Sequence, residues 1–196
     1  MTTTAFSTII WFLVPIVALT VHEFAHALVS WQLGDITAKR AGRVTLNPFA
    51  HLDLLGLMFL LFTGVGWGKP VPANPANFRD PLKDSALTAL AGPAANVFTA
   101  VVLAAMIKEF GGYFYLYPLL IASLRIGLFN LLPLAPLDGF HVFEGVLPFN
   151  LVPFWERTRS WGLPVLLLLL FPIGRSTLLE RILSPLTQVI VGFLLG

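Results

Sequence analysis

The residues best suited to chemistry stand close together near the start of the chain. His22, Glu23 and His26 form the pattern His-Glu-x-x-His inside an apolar run of residues 5–33. Residues i and i+4 of a helix share a face, so the two imidazoles point the same way and offer half of a zinc site. Glu23 is placed to take the proton of a metal-activated water. The alternative is a chance pair of core histidines, but such polar groups are costly in apolar surroundings without a function.

A catalytic zinc has three protein ligands and one open position, so one ligand is missing. The chain has no cysteine, which leaves His, Asp or Glu. The carboxylates in apolar context are Asp138, Glu144 and Asp53. Asp138 is the best candidate, because it follows a segment broken by prolines that can aim the side chain inward. Taken alone, Asp138-Gly139 is equally consistent with a turn or a helix N-cap.

The composition is that of an integral membrane protein. Of 196 residues, 57% are hydrophobic and 11% charged, and the mean hydropathy is +0.83. The net charge of +2 gives no indication of nucleic-acid binding. Residues 1–34 contain no Lys or Arg, so no signal peptide is expected and the first apolar segment is retained.

The apolar segments predict an all-α polytopic membrane protein with about five to six transmembrane helices. We expect one domain, residues 1–196, with a core at 5–139 and a C-terminal helical hairpin at about 160–196. Residues 54–65 are too few to cross ~30 Å of hydrocarbon at 1.5 Å per residue, which favours a re-entrant segment. Residues 68–81 contain four prolines and are expected to be extended, as a linker or an edge strand. A short hairpin or strand is expected within 38–47.

Charge indicates how these segments are oriented. If 54–65 does not cross, eight basic residues share one side: Lys39, Arg40, Arg43, Lys69, Arg79, Lys83, Arg157 and Arg159. Lys108 lies opposite, with Arg175 and Arg181 left open. The positive-inside rule then makes the basic side cytoplasmic and places the histidine pair and Asp138 in the cytoplasmic half of the membrane.

Three motifs in order resemble the site-2 proteases, a family of intramembrane zinc metalloproteases. They are His-Glu-Phe-Ala-His at 22–26, Gly-Pro-Ala-Ala-Asn at 92–96, and Asn-Leu-Leu-Pro-Leu-Ala-Pro-Leu-Asp-Gly at 130–139. Residues 66–72 also resemble the loop before the second core helix of that family. The length leaves no room for PDZ or CBS domains, so a minimal, membrane-only form is expected.

The resemblance implies a ligand set and an activity. His22, His26 and Asp138 would bind one Zn²⁺ per chain, Glu23 would be the general base, and Asn130 would position substrate or stabilise the oxyanion. The implied partners are a transmembrane protein substrate and the lipid bilayer of the cell membrane. An extended edge at 71–78 or 44–46 is expected to hold unwound substrate by strand addition.

Other interpretations of the same residues stay open at this point. A metal or proton transporter, or a non-catalytic membrane module, could use the same His/Asp cluster, and Glu23 separates these classes because only hydrolysis requires it. His51 and His141 are expected to be interfacial hydrogen-bonding residues, with a further ligand or proton carrier as the alternative. Arg125 is expected to pack or face water.

Overall fold

The computed structural model describes residues 2–56, 58, 67–174 and 176–196, and side chains from residue 13 onward. The helices are α1 (Thr2–Gln32), α2 (Thr37–Arg40), α3 (Pro81–Phe110), α4 (Tyr113–Asn130), α5 (Asp138–Val146), α6 (Val152–Arg157), α7 (Arg159–Leu170) and α8 (Leu178–Leu195). Single 3₁₀ turns cover Pro48–Ala50, Pro75–Asn77 and Phe149–Leu151. Two-residue strands β1 (Pro172–Ile173) and β2 (Ser176–Thr177) pair antiparallel. The chain is 75% helical, which confirms the predicted all-α class.

Local sequence explains where the long helices begin and end. The Asp80 side chain accepts a hydrogen bond from the Lys83 N–H, and Pro81 occupies the first turn of α3. Thr177 caps α8 in the same way by accepting from the Glu180 N–H. Gly111 and Gly112 have φ of +77° and +80°, a conformation that other residues rarely adopt, and they turn the chain from α3 into α4.

Helices α1, α3 and α4 form the centre of the molecule. His26 on α1 contacts Thr88 and His22 faces Gly92, so α1 and α3 are antiparallel. Helix α4 returns along α3, with Gly127 against Pro93. Helices α1 and α4 therefore run in the same direction.

Helix α8 packs on the outside of α3 and α4. Its C-terminal half lies against a buried cluster from these two helices: Ala100, Leu103, Ala104, Leu120 and Leu124. A Cβ built at Gly196 would lie 3.8 Å from Lys108 Nζ, so α8 ends beside the end of α3. Helix α8 is therefore parallel to α3.

Three helices in the described part of the chain are long and apolar enough to cross a membrane: Leu13–Gln32, Pro81–Phe110 and Leu178–Leu195. This is fewer than the expected five to six. Helix α4 has 18 residues, but its tyrosines and Arg125 lower its hydropathy. Helix α7 is apolar but has only 12 residues. Most of the predicted re-entrant segment 54–65 lies outside the described residues; residues 54–56 are helical.

The segment before α3 contains no helical turn over residues 69–74, and Asn74 has the backbone angles of extended chain. It is anchored by an antiparallel bridge between Leu52 and Gly68 and by the Lys69 N–H, which donates to His51 O at 2.8 Å. The Pro75–Asn77 turn interrupts it, so the predicted edge at 71–78 is shorter than expected.

The strand predicted within 38–47 is absent from the described structure. Thr37–Arg40 form helix α2 instead, and Asp35 accepts hydrogen bonds from the Thr37 N–H and hydroxyl just before this turn. Thr45 lies in a turn closed by a hydrogen bond from its N–H to Arg43 O at 2.9 Å.

Candidate metal centre and cavity

The structure brings His22, His26 and Asp138 together. His22 and His26 lie one turn apart on α1, and both are buried. Asp138 is the first residue of α5. Its Oδ2 lies 3.0 Å from His22 Nε2 and 3.2 Å from His26 Nε2, and the two Nε2 atoms are 3.0 Å apart. Among the described residues this is the one group of three or more His, Cys, Asp or Glu side chains arranged to hold a metal ion.

The chemistry of these three atoms fits a bound cation. His26 Nδ1 donates to the Thr88 carbonyl at 2.6 Å, so in the neutral ring the Nε2 atom carries a lone pair. That lone pair faces Asp138 Oδ2, which is also an acceptor and cannot donate a hydrogen bond to it. A cation between the two atoms would interact favourably with both lone pairs. A tetrahedral zinc with bonds of 2.0–2.1 Å places its ligand atoms about 3.3 Å apart. The observed 3.0–3.2 Å spacing is close to that value, and the site fits Zn²⁺.

Gly92 on α3 makes room for the two histidine rings. A Cβ built at this position would lie 2.4 Å from His26 Nε2 and 2.7 Å from His22 Cε1, well inside contact distance. Only glycine lets α3 approach the imidazoles so closely.

Asp138 is held by close backbone packing around the loop that joins α4 to α5. A Cβ at Gly139 would lie 2.3 Å from Leu132 O, so this turn also requires glycine. Helix α7 covers the loop, because a Cβ at Gly162 would lie 2.1 Å from Ala135 O. The third candidate ligand is thus fixed by the turn and supported by a helix from the C-terminal part of the chain.

A cavity of about 750 Å³ opens beside the three candidate ligands. Glu23 lines it, and the backbone of Val71 in the extended segment hydrogen-bonds to the Glu23 carboxylate. Asn130 also lines it, and its Nδ2 donates to Ile126 O at 3.0 Å. An amide NH₂ has two donors, so one N–H of Asn130 is left for another partner.

The other candidates for the third ligand are engaged elsewhere. Asp53 Oδ1 accepts from the Gly56 N–H at 2.8 Å and so stabilises a local turn. Glu144 Oε2 lies 3.1 Å from His141 Nδ1. Burial and the neighbouring Glu156 raise the pKa of Glu144 to about 7.

The remaining histidines have different surroundings. His51 is buried, and its Nε2 donates to Thr45 O at 2.8 Å, so it holds the chain between α2 and the extended segment. His141 lines the cavity and pairs with Glu144. The prediction that both form hydrogen bonds is confirmed.

Sequence reasoning missed two residues that shape the site. The Thr88 carbonyl orients His26, and a backbone contact has no signature in side-chain type. Asp35, which ends the turn after α1, accepts hydrogen bonds from residues of the segment before α3. In the sequence, an isolated aspartate after a helix looks the same whether it is buried and hydrogen-bonded or exposed in a solvated turn.

Three known proteins are similar to this chain over most of its length. "Putative zinc metalloprotease YwhC" of Bacillus subtilis is 37% identical, over 83% of this chain and 81% of that protein. "Putative zinc metalloprotease Rip2" of Mycolicibacterium smegmatis is 32% identical, over 79% of this chain and 64% of that protein. Its namesake in Mycobacterium tuberculosis is 32% identical over 66% of this chain and 54% of its own length. No family model matches the chain, and no solved structure is significantly similar to it.

Proposed function

This chain belongs to the site-2 protease family of zinc metalloproteases, and from that premise we propose that it hydrolyses peptide bonds in or near transmembrane segments of membrane proteins. The observation that carries the proposal is the meeting of His22, His26 and Asp138 beside Glu23 in one cavity, on an apolar helix long enough to cross a membrane. Two histidines, one carboxylate ligand and a neighbouring glutamate are the parts that a zinc peptidase needs.

Each residue of the site has a role in this reaction. His22, His26 and Asp138 would hold a zinc ion, which would supply Lewis-acid polarisation of the carbonyl and activation of a water molecule. Glu23 takes the proton of the attacking water and passes it to the leaving amine. The free N–H of Asn130 donates to the oxyanion that develops on the substrate carbonyl. The Val71 backbone holds the Glu23 carboxylate in place.

The substrate is a transmembrane segment that has locally unwound. In a helix the scissile bond is shielded by the i to i−4 hydrogen bonds, so an extended stretch has to enter the cavity. Gly68, Pro70, Val71 and Ala73 line this cavity with extended chain, and we assign to residues 69–74 the edge along which the substrate lies.

The enzyme resides in the cell membrane as a multi-pass protein with its active site toward the cytoplasm. The positions of the basic residues support this orientation. The helix directions alternate, with α1 and α4 running one way and α3 and α8 the other. Most Lys and Arg therefore lie at the end of the bundle where the site lies.

Replacing Glu23 by Gln tests the activity. We expect Glu23→Gln to bind one zinc per chain as wild type does, and to cleave a model transmembrane substrate in proteoliposomes about 10²–10⁴-fold more slowly. Asp138→Ala is the matched comparison, because it removes a ligand and lowers zinc content as well.

The same variants separate hydrolysis from transport. A zinc or proton transporter with this His/Asp cluster would move ions across the vesicle membrane whether or not residue 23 is a base. Cleavage by Glu23→Gln at the wild-type rate would show that the proposed mechanism is wrong.

A further inference from the structure

Polar atoms without a partner gather where α1, α3 and α4 meet. Asn96 on α3 is 0% exposed, and neither its Oδ1 nor its Nδ2 has a hydrogen-bond partner in the described structure. Ser123 Oγ on α4 and His22 Nδ1 on α1 are buried and unpaired in the same way. A buried amide without hydrogen bonds costs several kcal/mol in apolar surroundings, so these groups call for an explanation.

The helix register places Asn96 next to the His22 side of the metal centre. Helices α1 and α3 are antiparallel, and His26 contacts Thr88. His22 lies one turn earlier on α1 and faces Gly92, which lies one turn later on α3. The next turn of α3 carries Asn96, on the same face as Gly92. Its neighbour on α1 is Ala18, which is fully buried and too small to fill the space with a side chain.

Helix α4 closes the other side of this junction. A Cβ built at Gly127 would lie 3.3 Å from Asn96 Cβ, so the two helices are in close contact there. Ser123 precedes Gly127 by one turn and shares its face of α4. The register therefore places Asn96 on the part of α3 that is shared by the His22 side of α1 and the Ser123 side of α4.

The donors and acceptors of the three groups match. A histidine that ligates a metal through Nε2 carries its proton on Nδ1 and donates it to an acceptor, which fixes the ring. His26 has such an acceptor in the Thr88 carbonyl, at 2.6 Å, and His22 has none among the described residues. Asn96 Oδ1 is an acceptor of the kind that His22 Nδ1 lacks, and Asn96 Nδ2 is a donor of the kind that Ser123 Oγ lacks.

We propose that Asn96 is a positioning residue for the metal centre, which accepts the His22 Nδ1 proton through one buried water and is itself oriented by Ser123. This inference rests on the proposed zinc site and assigns to Asn96 a role in holding the metal. The alternative is that Asn96 only packs three helices together.

Zinc affinity measured by chelator competition tests this role without any substrate. We expect Asn96→Leu, which keeps the volume but removes the acceptor, to weaken zinc binding 10–100-fold. Thermal stability of the zinc-free protein should not fall, because leucine leaves no unpaired amide. Ser123→Ala should weaken zinc binding less, in the same direction.

Two further variants keep the test decisive. Asn96→Asp retains an acceptor of the same shape, so its zinc affinity is expected to stay within about threefold of wild type. This variant provides a measurement if Asn96→Leu does not fold. Thr99→Val removes a hydroxyl from the same helix that bonds only to Ala95 O, and should leave zinc affinity unchanged.

Unchanged zinc affinity in Asn96→Leu, or a loss in Asn96→Asp as large as in Asn96→Leu, would overturn the inference. Neither result depends on proteolysis. Wild-type protein that binds zinc but cleaves nothing would contradict the proposed function and leave the role of Asn96 intact.

Discussion

At the scale of single residues, the metal centre depends as much on a missing side chain as on the ligands. His22 and His26 supply nitrogen atoms, but their rings need space that a helix packed against them would normally fill. Gly92 provides this space, since any Cβ there would overlap both rings. The glycine thus lets α3 bring the Thr88 carbonyl to His26, and the same contact orients the ligand and packs the helices.

Gly92→Ala should therefore disrupt the site while the fold is retained. The added methyl group forces the imidazoles aside, and displacements of about 1 Å in a catalytic site cost on the order of 10²-fold in rate. We expect a loss of bound zinc, measured by elemental analysis after gel filtration, and a similar fall in cleavage. Gly192→Ala on α8 is the control, because a Cβ there meets nothing within 4 Å. Normal zinc content in Gly92→Ala would contradict the observed packing.

At the scale of elements, Asp35 joins the histidine helix to the segment that lines the cavity. Its carboxylate is fully buried just after α1 and accepts hydrogen bonds from Thr37, from the Asn74 N–H at 2.7 Å and from Asn77 Nδ2 at 2.7 Å. These contacts fix the end of α1 relative to the chain that leads into α3. The position of Val71 beside Glu23 follows from this connection.

The pH dependence of stability should report on Asp35. Burial alone would raise its pKa, but hydrogen bonds from Thr37, Asn77 and Asn74 outweigh burial and lower the pKa to about 2. A lowered pKa means that the contribution to the free energy of unfolding is complete above pH ~4 and disappears as the pH falls toward 2. With about 1.4 kcal/mol per pKa unit, this contribution is on the order of 2 kcal/mol.

Asp35→Asn should thus be destabilised by roughly 2 kcal/mol at pH 7, and the difference from wild type should shrink as the pH approaches 2. The measurement is the unfolding free energy in detergent micelles at a series of pH values. Glu180→Gln, a change at an exposed carboxylate, should differ little from wild type at every pH. A difference between Asp35→Asn and wild type that persists at pH 2 would show that the lost charge is not the cause.

The sequence predicted what depends on local spacing and failed where distant segments meet. His22 and His26 were predictable because a helix places i and i+4 on one face, and Asp138 was chosen from three carboxylates because it follows a segment broken by prolines. The contact of Gly162 with Ala135 was not predictable, since it joins a helix and a loop that share no periodic pattern. The strand expected within residues 38–47 was wrong, because residues 37–40 form helix α2 and Thr45 lies in a turn closed by Arg43 O.

At the scale of the whole molecule, the polar groups of the candidate site lie in an internal cavity, and the outer helix α8 is apolar. The cavity holds Glu23 and the candidate metal ligands, whereas α8 presents Val189 and Phe193 outward, with 72% and 87% of their surface exposed. Such exposed apolar side chains on a helix long enough to span are expected to face lipid. Pro70, Val71 and Ala73 of the segment 69–74 line this cavity, so this segment borders the space that water and substrate would occupy.

The direction of the helices makes this orientation testable with single cysteines, because the chain contains none of its own. Helices α1 and α4 run one way and α3 and α8 the other, so Glu109 and Gly196 lie at one end and Lys39 and Arg157 at the opposite end. If the basic end is cytoplasmic, a membrane-impermeant maleimide should label Glu109→Cys and Gly196→Cys in intact cells. Lys39→Cys and Arg157→Cys should react only after permeabilisation. Labelling of Lys39→Cys in intact cells would place the active site on the outside. If only one of Glu109→Cys and Gly196→Cys were labelled in intact cells, the parallel packing of α3 and α8 would be wrong.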